Sequence, residues 1–235
     1  MDYRKIAYGR YARFSSLDYG QFAASYRRRM SGRMVVSPDA NCLDLACGFG
    51  NFLAFLEASG VRSFIGVDGS DAAVNEAINR FGAERAVCSD VFSFLQTSTS
   101  SFDLISALDL LEHLSKKELY DLLDLARSRL APTGRLLVRV PNASGLFGMA
   151  SRYNDITHET CFTPGALRDV FDAAGLNAIA VWEDTGHPTD LKQILHRFSW
   201  ELVRFGIRCV DAIETGTWGE GVFTRNMWAL AERRT

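Results

Sequence analysis

The sequence predicts an α/β protein built on an open, mostly parallel sheet with helices on both faces. Three observations carry that prediction. From Asn41 onward, short apolar runs alternate with segments whose apolar residues recur at helical spacing, the pattern of successive strand–helix–strand units. Runs such as Phe102-Asp103-Leu104-Ile105-Ser106 are nearly continuous in apolar character, as strands buried on both faces are. The first run ends in Cys47-Gly48-Phe49-Gly50, a glycine turn where a strand hands over to a helix.

Strands are expected at 41–46, 62–67, 85–89, 102–107, 134–140 and 176–183, with a last one over Thr224–Ala231. Between them Asn51–Ser59, Ala72–Phe81 and Lys116–Leu130 read as helices, the last with Leu119, Leu122, Leu123, Ala126 and Leu130 on one face. Ser16–Arg33 reads as a helix outside this series, packed across the top of the sheet. Its aromatic density, with Tyr3, Tyr8, Tyr11 and Phe14 leading into Tyr19, Phe22 and Tyr26, suits a lid that keeps water from a ligand. An irregular stretch, Pro141–Thr163, precedes a helix over Pro164–Ala174 that Gly175 ends. Pro188–Phe205 is a further amphipathic helix.

Composition excludes several classes. A formal charge of -2 gives no basic field for a nucleic acid, and the cluster Arg27, Arg28, Arg29 and Arg33 reads as a solvated helix face. Five cysteines without C-x-x-C spacing make neither a disulfide framework nor a zinc knuckle, and they suit small core positions. No stretch approaches the roughly 20 apolar residues of a membrane span, and no signal-like leader stands at the start, so a reducing cytoplasm is expected.

The strongest chemical signal is Leu43-Asp44-Leu45-Ala46-Cys47-Gly48-Phe49-Gly50-Asn51-Phe52, a strand running through a Gly-x-Gly turn into a helix. The glycines let a ligand touch backbone, and the helix N-terminus offers unpaired N–H groups. Gly66-Val67-Asp68-Gly69-Ser70 then ends the second strand with an acid placed to accept both hydroxyls of a ribose. A dinucleotide site shares these features. Two details disfavour NAD: Leu53 stands where G-x-G-x-x-G has its third glycine, and Asp44 would repel a pyrophosphate but attract an ammonium. That charge pattern fits S-adenosylmethionine (SAM), which carries a sulfonium, an ammonium and a carboxylate but no phosphate.

On these residues the chain resembles the class I SAM-dependent methyltransferases, a Rossmann-like group that includes ubiquinone-biosynthesis O-methyltransferases and bacterial glycan-modifying enzymes. Leu43–Gly50 matches motif I, Asp68 the ribose-binding acid, and Cys88-Ser89-Asp90-Val91 the adenine-flanking segment. Phe102–Leu114 and Pro132–Val138 match the fourth strand and the turn into the fifth. The likeness covers most of the chain. Ala46 departs from it, since many relatives have glycine there, a change small enough to keep the turn. The resemblance implies a seven-stranded sheet with an antiparallel last strand over Asn226–Ala231. It also implies that Asp90 bonds the adenine amino group while Val91 and Phe92 flank the ring; alone, Asp90 could equally cap a helix. The expected cofactor set is Asp44, Ala46, Gly48, Gly50, Asn51, Phe52, Asp68, Gly69, Asp90, Val91, Leu108 and Asp109. The chain is expected to form one domain, with a lid over 1–40, a cofactor core over 41–140, and an acceptor loop with C-terminal elements over 141–235.

Methyl transfer from a sulfonium is an in-line displacement, so an enzyme must align the acceptor, exclude water and, for a hydroxyl, remove a proton. Histidine suits that last need. His113 lies just past the fourth strand. His158 lies in the long loop, where Asp155 and Glu159 could orient its ring, and it is the expected general base, with His113 assisting. A metal held by Asp155, His158 and Glu159 lacks a second cluster of ligands, so none is expected. His187 and His196 read as structural or exposed. The expected acceptor is a small-molecule or glycan hydroxyl, not a nucleic acid, and the expected assembly is a monomer or homodimer. The region after Trp182 loosely resembles tails of bacterial methyltransferases that act on cell-surface sugars. A non-catalytic SAM-binding protein and an NAD-dependent oxidoreductase are the alternatives.

Overall fold

The structure, a computed structural model, describes residues 18–234. Helix α1 (Tyr19–Met30) precedes β1 (Asn41–Leu45), α2 (Asn51–Ala58), β2 (Ser63–Asp68), α3 (Asp71–Phe81), β3 (Ala86–Cys88), α4 (Val91–Thr97) and β4 (Phe102–Leu108). A 3₁₀ turn, Leu111–His113, leads to α5 (Lys116–Arg129), β5 (Leu130–Pro141), α6 (Gly148–Tyr153), α7 (Pro164–Ala173), β6 (Leu176–Glu183), α8 (Leu191–Thr215) and β7 (Asn226–Arg233). The seven strands run in the order β3-β2-β1-β4-β5-β7-β6, with β7 antiparallel to both neighbours and the other pairings parallel. The order reverses between β1 and β4, so a crevice opens at their carboxyl ends. Among the described residues no helix is long and apolar enough to cross a membrane.

Alternation along the central strands fills both faces. On β5 and β7, Leu136, Val138, Val140, Met227, Ala229 and Ala231 join the cluster covered by α5 and α7. Leu137, Trp228 and Leu230 point the other way, into a cluster with Phe52, Leu53, Phe55 and Leu56 of α2 and Met30 of α1. This two-sided burial is why the strands read as continuous apolar runs. A capping box between Ser115 and Glu118 starts α5, and Thr163 followed by Pro164 starts α7.

Several boundaries differ from the sequence reading. Helix α4 lacks a long periodic pattern, yet Asp90 starts it by accepting the Ser93 N–H at 3.0 Å. A short helix, α6, lies in the stretch read as irregular. Helix α8 runs through Gly206 to Thr215, ten residues past the expected end at Phe205; a mid-helix glycine costs only about 1 kcal/mol, and the left-handed Gly216 stops it instead. Strand β5 starts at Leu130, not 134, through a bulge in which a Cβ on Gly134 would lie 2.5 Å from the Phe102 carbonyl oxygen. The helix read as a lid spans Tyr19–Met30, shorter than Ser16–Arg33, while Tyr3, Tyr8, Tyr11 and Phe14 lie outside the described residues.

Candidate active site

The crevice is built first from the turn after β1. Its chain reverses through Ala46 (φ 56°), Gly48 (φ 53°) and Gly50 (φ 83°), pinned by Cys47 N–H to Val67 O at 3.1 Å and Gly50 N–H to Cys47 O at 2.9 Å. A Cβ on Gly48 would meet nothing within 4 Å, so the backbone there lies open to a ligand. Beside it the Asn51 Oδ1 is buried without a hydrogen-bond partner among the described residues, an acceptor awaiting a donor. Phe52 is buried against Phe55 and meets the Tyr26 ring of α1 edge-on at 5.3 Å.

Three acids follow at the strand ends. Asp44 is buried, and Ser106 Oγ donates to its Oδ1 at 2.6 Å. Burial pushes its carboxyl up to about 7; the Ser106 bond opposes the rise and nearby Asp68 adds to it. Asp68, also buried, accepts the N–H groups of Gly48 at 2.9 Å and Ser70 at 2.8 Å. It therefore ties the turn after β1 to the turn that contains Gly69. Asp90 caps α4, with Val91 buried behind it. This donor and acceptor set fits SAM.

At the end of β4, Leu108 is half-buried and Asp109 holds φ 53° while pairing with Arg139 Nη1 at 2.5 Å. Arg139 also meets Asp184, which pairs with Arg29 of α1 at 2.6 Å and accepts the Trp228 indole N–H at 2.7 Å. Tyr19 of the same helix donates its hydroxyl to Phe49 O at 3.0 Å, so α1 sits on the glycine turn.

The loop after β5 is drawn to this corner by the Glu112 carbonyl, which accepts the N–H groups of Glu159 at 2.7 Å and Thr160 at 3.1 Å. The His113 and His158 rings consequently stand 4.8 Å apart, edge to face. Asp155 Oδ1 accepts both the main-chain N–H of Thr157 at 2.9 Å and its hydroxyl at 2.7 Å, and His113 Nδ1 lies 2.8 Å from that hydroxyl oxygen. Burial would raise the Asp155 carboxyl, but the Thr157 bonds and the two imidazoles hold it below the usual range. An ionised carboxylate only accepts, so Thr157 spends its proton on Asp155 and must accept from His113 Nδ1–H. The Thr157 carbonyl oxygen, 3.3 Å from the same nitrogen, requires the same proton. A neutral His113 therefore carries its lone pair on Nε2.

This arrangement differs from the sequence reading, in which Asp155 and Glu159 orient His158. The Asp155 carboxylate bonds Thr157 in a local Asx-type turn and through it reaches His113, while the Asp155 carbonyl accepts the His158 main-chain N–H at 3.3 Å; Glu159 is fixed through its main chain. His158 Nδ1 and Glu112 Oε2 are buried without hydrogen-bond partners among the described residues. Burial, reinforced by Asp109, pushes the Glu112 carboxyl well up. Glu112, His113 and His158 bring one nitrogen or oxygen each within 4.8 Å of one another, a spacing that suits proton sharing or a divalent ion; among the described residues the set Asp155, His158 and Glu159 does not assemble this way. Thr157, Glu112 and Ser106 were missed from sequence. Only the Asp-x-Thr spacing at 155–157 offered a signal.

The family model for a methyltransferase domain matches residues 12–181, most of the chain. The chain belongs to the methyltransferase family. This methyltransferase shares its fold with a SAM-dependent methyltransferase from Archaeoglobus fulgidus at a TM-score of 0.66 and 20% identity, over 92% of this chain and 95% of that one. A SAM-dependent methyltransferase from Clostridium acetobutylicum ATCC 824 superposes at 0.63 and 15% identity, over 97% and 100%. An O-methyltransferase of neocarzinostatin biosynthesis, NcsB1, solved with SAM and 2-hydroxy-5-methyl naphthoic acid, superposes at 0.57 and 14% identity, over 92% and 53%. No curated protein matches the methyltransferase significantly in sequence. Family and fold make SAM its cofactor, in keeping with the open glycine turn.

Proposed function

We propose that this methyltransferase moves the methyl group of SAM to a hydroxyl oxygen of a small molecule or glycan, with the proton taken by the His113–His158 pair. The observation that carries this reading is the chain Asp155–Thr157–His113, which ends beside His158 on the acceptor loop. Bound SAM supplies an activated methyl group. Asp44 would face its ammonium, Asp68 its ribose hydroxyls and Asp90 its adenine amino group, while Gly48, Gly50 and Asn51 bring backbone and side-chain polar atoms to its amino-acid end. Leu108 and Asp109 would border the methyl group. Asp155 keeps His113 in the tautomer whose Nε2 can accept a proton, and His158 lies against that ring. The sequence favours His158 as the base; the relay makes His113 the better-prepared ring. The hydroxyl-bearing ligand of NcsB1 supports an oxygen acceptor on this fold.

The test is release of S-adenosylhomocysteine against sugar nucleotides, glycolipids, quinone precursors and hydroxylated aromatic acids. With a confirmed hydroxyl acceptor, His113→Ala and His158→Ala should each lower turnover by about 10²–10⁴-fold with SAM affinity nearly unchanged. Asp68→Ala should instead weaken SAM by about 1.5–3 kcal/mol in calorimetry. Losses under about threefold for both histidine variants would leave alignment alone as the source of catalysis, and SAM binding without turnover on any acceptor would favour a non-catalytic role.

A further inference from the structure

Helix α8 is turned the wrong way for a surface helix. It is 25 residues long, about 37 Å, and none of its residues is buried. Its polar side faces the body of the protein. Trp200 Nε1 donates to Glu183 at 3.1 Å, Arg204 reaches the same carboxylate at 3.4 Å, Arg197 donates to Thr185 Oγ1 at 2.6 Å, and Arg208 lies over the Trp218 ring at 4.5 Å. The outward side is apolar: Leu191, Leu195, Phe198, Leu202 and Phe205 are each 58–70% exposed, and Phe205 at the stripe's end also meets the exposed Trp218 ring at 6.0 Å. A helix that packs on its own domain does the reverse.

The spacing of that stripe identifies what covers it. Steps of 4, 3, 4 and 3 residues, continued by 4 to Cys209, make the 3.5-residue repeat of a helix-to-helix seam. A lipid surface would call for cations fringing the apolar side, but Arg197, Arg204 and Arg208 are turned inward and engaged, leaving Lys192 as the helix's outward cation. We propose that α8 pairs antiparallel with α8 of a second copy of this chain, forming a two-fold dimer. With the helix midpoints together, Leu202 meets the partner's Phe205, Phe198 meets the partner's Cys209, and Leu195 meets the partner's Ala212. Lys192 then lies beside the partner's Glu214, and the helix dipoles oppose. A parallel pairing would set Lys192 on Lys192 and Glu214 on Glu214. At roughly 100 Å² for each half-exposed Leu or Phe, the five stripe residues and their exposed neighbours Ile194, Val203 and Val210 approach the roughly 800 Å² each partner contributes to a standard interface.

Sedimentation equilibrium on the full chain tests this. The chain should sediment as a dimer at micromolar concentration, and Leu202→Glu, on an exposed face, should weaken dimerisation at least 100-fold while leaving the melting temperature of the monomer in place. Phe198→Cys should form an intermolecular disulfide with Cys209 under copper–phenanthroline. A wild-type chain that stays monomeric at 100 µM, a Leu202→Glu variant that remains dimeric, or a Cys209–Cys209 link as the main product would each overturn the proposal. So would a monomer that co-sediments with phosphatidylglycerol vesicles and loses them on Leu202→Glu, which would assign the stripe to lipid.

Discussion

Two residues, one in the glycine turn and one in the strand that leads into it, carry costs that the rest of the fold absorbs. Ala46 holds φ 56°, a region where a Cβ crowds the neighbouring carbonyl and glycine does not. Ala46→Gly should therefore raise stability by about 1 kcal/mol, read as a shifted urea midpoint at constant slope; an unchanged or lower midpoint would mean the turn is unstrained. Asp44 carries the second cost. Its carboxyl titrates near 4 in the unfolded chain and near 7 when folded, so between those values the folded state holds more protons and stability falls as pH rises. Glu112, also raised by burial, adds a slope of the same sign. The ligand-free protein should thus be more stable at pH 5 than at pH 7.5, and Asp44→Asn should flatten part of that difference. The positions of Asp44 and Asp68 at the ends of β1 and β2 were legible in sequence because each lies where an apolar run gives way to a glycine turn. Ser106, which stabilises Asp44 from the next strand, was not, because a register of strands is needed to bring it there.

Elements were legible where their periodicity was long. The six parallel and edge strands and helices α2, α3, α5 and α7 fall within a few residues of their expected places, since both faces of the sheet are packed and each segment repeats its pattern. Helix α4 is two turns long, too short for a period to show, and β5 begins early because a bulge carries no hydrophobic signature. In the loop after β5, sequence put two histidines and an acid together but had the acid's side chain bond His158, whereas the Asx-type turn at Asp155 carries that side chain to Thr157 and so to His113, a turn settled by local backbone geometry. The Thr157 hydroxyl links Asp155 to His113 directly, beside the Thr157 carbonyl that faces the same ring nitrogen, so Thr157→Ala, which keeps the carbonyl, should lower turnover with little change in acceptor KM. Thr157→Ser, which restores the hydroxyl, should recover most of it. The alkaline plateau of the kcat profile should also shift in Thr157→Ala, a change that mere loosening of the loop would not bring. Equal losses in the Ala and Ser variants would show that the methyl group, not the hydroxyl, matters.

At the scale of the whole molecule, the site depends on one carboxylate that no local pattern announces. Asp184, at the end of β6, joins Arg139 of β5, Arg29 of α1 and the Trp228 indole of β7, so three elements distant in sequence meet on its two oxygens. Burial would raise this carboxyl, but Arg139 and Arg29, with the bonds from Trp228 and Arg29, hold it below the usual range. It is 9% exposed, which separates it from surface ion pairs worth about 0–1 kcal/mol. Asp184→Asn keeps the shape but leaves Arg29 against a neutral amide and Arg139 with Asp109 as its remaining acid; with both arginines partly exposed the loss falls below the roughly 3–5 kcal/mol of a fully buried pair, at about 2 kcal/mol. Because the folded carboxyl is depressed, its contribution is complete above about pH 4 and is lost as pH falls through the folded value. The stability gap between wild type and Asp184→Asn should therefore be constant from pH 5 to pH 8 and close below pH 4. Through Arg29 the same change should release α1, whose Tyr19 rests on the glycine turn, so amide exchange over residues 19–30 should accelerate beyond the global rate and SAM should dissociate faster. Arg29→Ala separates the two effects: it should loosen α1 and speed SAM release while costing less global stability than Asp184→Asn. If Asp184→Asn costs under about 1 kcal/mol, water screens this cluster and α1 is held by its aromatic contacts with Phe52 and Trp228 instead.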